Sequence, residues 1–157
     1  MYYQIYDTII GKLVIEEDEC KISRIELLKN EEKFDNKINK ETDIIKKVYK
    51  ELDEYFKGNR KTFDIHLKIE GTEFQKKVWM ALLEIPYGET RSYLDIAKKI
   101  GNPKASRAVG MANHNNKIMI VIPCHRVIGS NKKLVGYAGG LDIKEKLLKL
   151  EEERNIN

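Results

Sequence analysis

Cys124 and His125 stand side by side in Ile122-Pro123-Cys124-His125-Arg126-Val127, at the end of the apolar run Ile118-Met119-Ile120-Val121-Ile122. A thiol reacts as its thiolate, and a cationic or hydrogen-bonding neighbour is what lowers its pKa from about 8.5. A buried strand that ends in such a group reads as a nucleophile on a rigid mount, with Pro123 restricting the backbone just before the sulfur. Adjacent residues on an extended segment point to opposite sides, so His125 need not touch the sulfur and can act through a bridging water. A histidine that accepts a proton is often oriented by a carboxylate. Acidic residues of the last helix, Glu151 in particular, can fill that place. The competing reading is a buried, inert cysteine with an unrelated neighbour.

A second signal lies upstream. Ser92-Tyr93-Leu94-Asp95 is a capping box opening a helix with Ile96, Ala97 and Ile100 that stops at Gly101. Pro103 suits the first turn of another helix, running through Ala105, Arg107, Val109 and Met111. Joined by Gly101-Asn102, the two make a helix-turn-helix from Tyr93 to Asn113. The second helix bears Arg107 among Ala105, Ala108, Gly110 and Ala112. Small residues let a backbone approach a groove floor but offer few groups that read base edges, which favours shape-based contact in the minor groove. A plain helical hairpin packed on the core is the alternative. Gly136-Tyr137-Ala138-Gly139-Gly140 is a Gly-rich loop whose amides can donate hydrogen bonds while Tyr137 stacks on or donates to a flat ligand; an ordinary turn before a helix is the alternative there.

The elements that must position these groups fall into two halves. Residues 1–30 alternate as strands and fit hairpins, and residues 31–41 are polar and read as a loop. Thr42 caps a helix carrying Ile44, Ile45, Val48, Leu52, Tyr55 and Phe56, which Gly58 ends. Phe63, Ile65, Leu67 and Ile69 alternate as one more strand. Thr72-Glu73-Phe74-Gln75 is a capping box for a helix that buries Phe74, Val78, Trp79 and Leu82, and Asp142-Ile143-Lys144-Glu145 caps the last helix. The expected fold class is α+β: residues 1–70 form a small α/β domain with antiparallel strands, and residues 71–157 form a mostly helical domain containing the helix-turn-helix.

Composition narrows the setting. The 157 residues carry a net charge of +4, which permits a polyanionic partner without requiring one. No segment approaches the roughly 18 uninterrupted apolar residues of a membrane span, and Met1-Tyr2-Tyr3-Gln4-Ile5 does not open a secretory signal, so no membrane partner is expected. Two cysteines far apart in sequence do not make a disulfide framework, and a cytoplasmic, reducing location follows. Neither a four-ligand zinc set nor a nucleotide-binding fingerprint is present, and no metal or other cofactor is expected.

Together, Pro123-Cys124-His125-Arg126-Val127, Arg107-Ala108-Val109-Gly110, Gly136-Tyr137 and Gly139-Gly140-Leu141 resemble the 6-O-alkylguanine-DNA alkyltransferases, also called methylated-DNA–protein-cysteine methyltransferases. The match runs from about Phe74 to Glu151. The resemblance implies a monomer that acts on double-stranded DNA carrying 6-O-alkylguanine or 4-O-alkylthymine and turns the damaged nucleotide out of the helix. Cys124 would accept the alkyl group once and irreversibly. His125 would take the thiol proton through a water, with Glu151 orienting it and Asn116 as the hinge to the active-site segment. Tyr93 would press on a phosphate, Arg107 would fill the gap in the base stack, and Ala108 and Gly110 would lie against the groove. Tyr137, the amide of Ala138, and Val127 would line the base pocket. Two departures stand out: Lys117 follows the hinge where the family often has proline, and Ala138 replaces a hydroxyl residue found in some members. A lesion-binding module without chemistry and a cysteine hydrolase are the other readings; tight binding that survives loss of the thiol, or multiple turnovers, would mark them.

Overall fold

The computed structural model describes residues 1–129 and 140–155 of an α+β chain. Two compact units divide it, Met1–Ile69 and Glu70–Asn157. In the first, β1 (Tyr2–Thr8), β2 (Gly11–Asp18) and β3 (Lys21–Leu27) form an antiparallel meander, and the short β4 (Ile38–Asn39) adds in parallel to β1, giving the order β3-β2-β1-β4. β2 is central and buried on both faces, so Leu13, Val14 and Ile15 all lie in the interior. Its two buried acids are paired: Glu16 with Arg24 at 2.7 Å, and Glu17 with the hydroxyl of Thr42 at 2.5 Å. α1 (Asp43–Phe56) starts where Thr42 accepts the amide of Ile45 and lays Ile45, Val48, Leu52 and Tyr55 into the same core. Its apolar stripe at helical spacing is the cause of that packing.

Two expectations for this unit need correction. The polar stretch 31–41 contains β4, which amides of Ile38 and Lys40 tie to β1. The alternating segment Phe63 to Ile69 is not a strand: it makes a single bridge, in which Ile22 exchanges hydrogen bonds with His66 and Lys68. Side chains of α1 take the backbone groups of Asp64, Lys47 donating to its carbonyl and Glu51 accepting its amide. Alternation reports extended backbone; a ladder also needs a free strand edge in register.

The second unit is helical. α2 (Glu73–Leu83) and α3 (Tyr93–Lys99) each open on a complete capping box, Thr72 with Gln75 and Ser92 with Asp95. α4 (Ser106–His114) packs on both, with Val109 and Ala112 buried, and the Trp79 indole of α2 donates to the Ala112 carbonyl at 2.8 Å. β5 (Arg91–Ser92) and β6 (Val127–Ile128) pair in parallel, and α5 (Leu141–Asn155) ends the described chain. Pro103 does not start α4. Residues 101–105 form turns instead, and the helix begins at Ser106 after an Ala105 that supplies no side-chain cap. The proline at that point shapes the connection, since it favours a turn as readily as a first helical residue.

Gly71 sits against the α2 cap. A β-carbon there would fall 2.7 Å from a Trp79 ring carbon and 2.7 Å from the Gln75 Oε1 that closes the capping box. The indole is pinned by its own hydrogen bond and cannot retreat. Gly71→Ala is expected to lower the unfolding free energy by about 1–3 kcal/mol, the usual cost of overpacking, as read by denaturant titration.

Candidate active site

The apolar run before Cys124 is not a strand. Residues 115–123 fold into a compact buried turn, in which Val121 bonds to Met119, Ile122 to Ile118 and Cys124 to Ile122. Ile120 sits at φ +73, left-handed backbone that costs a β-branched residue about 1–3 kcal/mol. The Asn116 carboxamide holds this turn from within. Its Oδ1 accepts the Ile118 amide at 3.0 Å. Its Nδ2 faces three acceptors, the Ile122 carbonyl at 2.9 Å, Cys124 Sγ at 3.1 Å and the Ile118 carbonyl at 3.3 Å. Two amide protons cannot satisfy three acceptors at once, so a proton is available to the sulfur whenever the sulfur becomes the strongest acceptor.

Cys124 opens a 3-10 turn, Cys124–Arg126, rather than ending an extended segment, and is 2% exposed. His125 is fully buried and meets Glu151 Oε2 through Nε2 at 2.5 Å. Burial holds the imidazole pKa below its ordinary 6.5, and the hydrogen bond to Glu151 opposes this only in part. The ring is therefore neutral at pH 7. With its proton on Nε2, facing the carboxylate, the lone pair lies on Nδ1, a buried atom without a hydrogen-bond partner among the described residues.

Glu151 is the hub. Arg126 donates to both of its oxygens, from Nε at 2.8 Å and Nη2 at 3.1 Å, and the amide of Gly88 adds a bond at 3.2 Å. Arg126 itself is fixed by the Ile85 carbonyl at 2.7 Å. Burial works to raise the Glu151 pKa, but the hydrogen bonds of His125 and Arg126 and the Arg126 charge outweigh it and bring it down to about 2.

Lys144 of α5, fully buried, donates to the Val127 carbonyl and lies 6.0 Å from the Tyr93 ring centre. Burial lowers its pKa to about 8, with the charge of Cys124 opposing, so it is mostly cationic at neutral pH. Tyr93, half-buried, has its phenol pushed up by burial and by Cys124. The fold thus gathers Cys124, His125, Asn116, Glu151, Val127 and Tyr93. Arg107 and Ala108 are exposed on α4, and Gly110 faces Tyr93, whose ring carbons lie 3.8 Å from where a β-carbon would be. Tyr137 and Ala138 lie outside the described residues. Lys144, and Arg126 as the counter-charge, were missed by the reading of site roles. The signal was present: Lys144, Leu147 and Glu151 share the buried stripe of α5, so two charged residues stand at core positions of a helix.

Fold and site define a class, a protein with a buried thiol next to a neutral, carboxylate-oriented histidine on a helical unit. Comparison with known proteins narrows this. A family model described as "6-O-methylguanine DNA methyltransferase, DNA binding domain" matches residues 73–153, and one described as the ribonuclease-like domain of the same protein matches residues 1–69. The methylated-DNA–protein-cysteine methyltransferase of Methanosarcina acetivorans is 54% identical over 96% of this chain and 98% of its own. The constitutive enzyme of Bacillus subtilis is 49% identical over 96% of this chain and 94% of its own. The crystal structure of Mycobacterium tuberculosis OGT in complex with DNA superposes with a TM-score of 0.92 at 42% identity, covering 98% of this chain and 94% of that one. The chain belongs to the methylated-DNA–protein-cysteine methyltransferase family.

The charge hub sets the acid response. Below pH 6.5 the unfolded chain binds a proton at His125 that the fold refuses, and below 4.5 it binds one at Glu151 that the fold resists down to about 2. Both make stability fall on acidification. Glu151→Gln strips the buried guanidinium of its counter-charge. It is expected to cost about 3–5 kcal/mol in denaturant unfolding at pH 7 and to remove Glu151's own share of the acid response below pH 4.5, leaving that of Asp18, Glu32 and Asp95.

Proposed function

We propose that this chain repairs DNA by moving the alkyl group of 6-O-alkylguanine, and of 4-O-alkylthymine, onto Cys124. The observation that carries the reading is a buried sulfur that accepts a carboxamide proton from Asn116 next to a neutral histidine held by Glu151. His125 takes the thiol proton at Nδ1 through a water. The thiolate attacks the alkyl carbon, the carbon–oxygen bond breaks, and the electron pair leaves on the oxygen and is shared into the ring, where the proton held by His125 returns through water to a ring nitrogen and restores the base. Asn116 and Lys144 place a donor and a positive charge near the sulfur while it is ionised, and Glu151 is a positioning residue that fixes the tautomer. The product is a thioether. No group gathered around Cys124 has the chemistry to cleave an S–alkyl bond, so each molecule works once.

The alkylated oxygen lies inside a duplex, so the nucleotide must be turned out into the protein. The exposed face of α4 suits that work: Arg107 fills the gap in the stack, Ala108 and Gly110 let the backbone lie close to the groove, and Tyr93 presses on a phosphate. Tyr137, Ala138 and Val127 line the base pocket. Residues 71–157 form the DNA-binding and transfer domain, and residues 1–70 a separate α/β domain. The chain acts as a monomer, since Cys124, His125 and Glu151 come from one copy. No helix among the described residues is long and apolar enough to cross a membrane. A reducing cytoplasm suits a protein that consumes a free thiol.

The test is a duplex carrying 6-O-methylguanine mixed with the protein in equal amounts. The peptide containing Cys124 is expected to gain one methyl group as the lesion disappears; an unmodified peptide with the lesion intact would refute the proposal. Cys124→Ser should abolish transfer and retain lesion binding, because an alcohol is far from ionised at neutral pH. Gly110→Ala separates the DNA face from the chemistry. The added carbon meets Tyr93 only at van der Waals distance, so the melting temperature should hold. DNA affinity in a gel-shift titration should fall about tenfold, or 1.4 kcal/mol.

A further inference from the structure

Asn113 is a polar residue on the buried side of α4, 1% exposed, opposite the face that shows Arg107, Ala108 and Met111 to solvent. Its Nδ2 donates to the carbonyl oxygen of Cys124 at 3.3 Å. The amide of Val127 donates to the same oxygen, so both lone pairs of the nucleophile's own carbonyl are engaged. Its Oδ1 is buried and has no hydrogen-bond partner among the described residues. An apolar side chain of the same shape would bury there at lower cost than a half-satisfied carboxamide. The position therefore keeps a group that stability alone does not favour, and the bond it makes runs to the reacting residue.

We infer that Asn113 is a positioning residue for alkyl transfer, tying the helix that carries Arg107 to the backbone of Cys124. One residue earlier, the Trp79 indole holds the Ala112 carbonyl, so the end of α4 is anchored to α2 on one side and to the nucleophile on the other. The orientation of the Cys124 peptide is then set by the same helix that meets the DNA, and the sulfur stays in line with a carbon delivered from that face. An in-line displacement is sensitive to such placement, since a misplacement of about 1 Å costs on the order of a hundredfold in rate.

This inference rests on the transfer reaction proposed above, and its test separates the two. Full-length wild type, Asn113→Leu and Asn113→Asp are compared in single-turnover transfer from a 6-O-methylguanine duplex at increasing DNA concentration. Cys124 labelling by iodoacetamide, read on its own peptide, and the melting temperature are followed in parallel. The small electrophile diffuses freely and orients itself to the sulfur, so the protein need not hold the two in line. The limiting transfer rate of Asn113→Leu is expected to fall between about tenfold and a hundredfold. Its half-saturating DNA concentration, iodoacetamide rate and melting temperature should stay near those of wild type. Asn113→Asp keeps the size but sets an oxygen against the Cys124 carbonyl, and should transfer more slowly than Asn113→Leu. A merely space-filling role predicts the reverse order, with Asn113→Asp closer to wild type. That order, a wild-type limiting rate in Asn113→Leu, or equal losses in transfer and iodoacetamide labelling would overturn the inference. Failure of the wild type itself to transfer would sink the proposed function instead.

Discussion

A carboxylate with one hundredth of its surface exposed organises the second unit. Glu151 cannot be buried alone, because an ionised group removed from water needs several donors to replace hydration. His125, Nε and Nη2 of Arg126 and the Gly88 amide supply them. The donors come from two stretches of chain, the 3-10 turn and the segment after α2. The 3-10 turn, the segment after α2 and the last helix are therefore held together by one charge. The same requirement fixes the imidazole: with Nε2 committed to the carboxylate and burial disfavouring a second proton, Nδ1 keeps its lone pair. Structural need and chemical readiness have a common cause.

The turn before Cys124 is the second constraint. Its left-handed Ile120 and its reliance on a single carboxamide, Asn116, show backbone held in a conformation that its sequence does not prefer. Such strain persists only where the surroundings over-determine it. Here the apolar residues at 118, 120 and 122 are all buried, and their packing offsets the cost. The run is hydrophobic because the turn lies inside the unit, not because it pairs in a sheet. Lys117, where the family often has proline, follows Asn116 at the exposed start of the turn, and the hydrogen bonds of Asn116 hold the segment without that restriction.

Much of the fold was legible. The three capped helices announced themselves through Thr42, Thr72 and Ser92, since an N-cap is a local hydrogen bond between residues three apart. The hairpin strands followed from period-two patterning. Misreadings fell where local pattern is ambiguous. A five-residue apolar run fits a strand, a helix or a buried turn equally well, and Pro103 fits a turn as well as a first helical residue. Of the candidate site, Cys124, His125 and Glu151 could be named from residue chemistry and resemblance. Lys144, the Arg126 counter-charge and Asn113 could not be placed, because their partners are distant in sequence: Val127 for Lys144, Glu151 and Ile85 for Arg126, and Cys124 for Asn113.

Sequence alone determined which residues have the chemistry: one thiol beside one imidazole, a helix pair with a small-residue face, and a glutamate and a lysine on the last helix. Those are properties of residue type and short-range spacing, and neither depends on how the chain closes. Tertiary structure alone decided that the two charges serve different groups, Glu151 the imidazole and Lys144 the Val127 carbonyl near the sulfur. It also decided that the carbonyl of Cys124 answers to α4. The reason is desolvation: a buried polar atom must find a partner wherever the packed chain brings one, and packing, unlike spacing, is not written in any local stretch of residues.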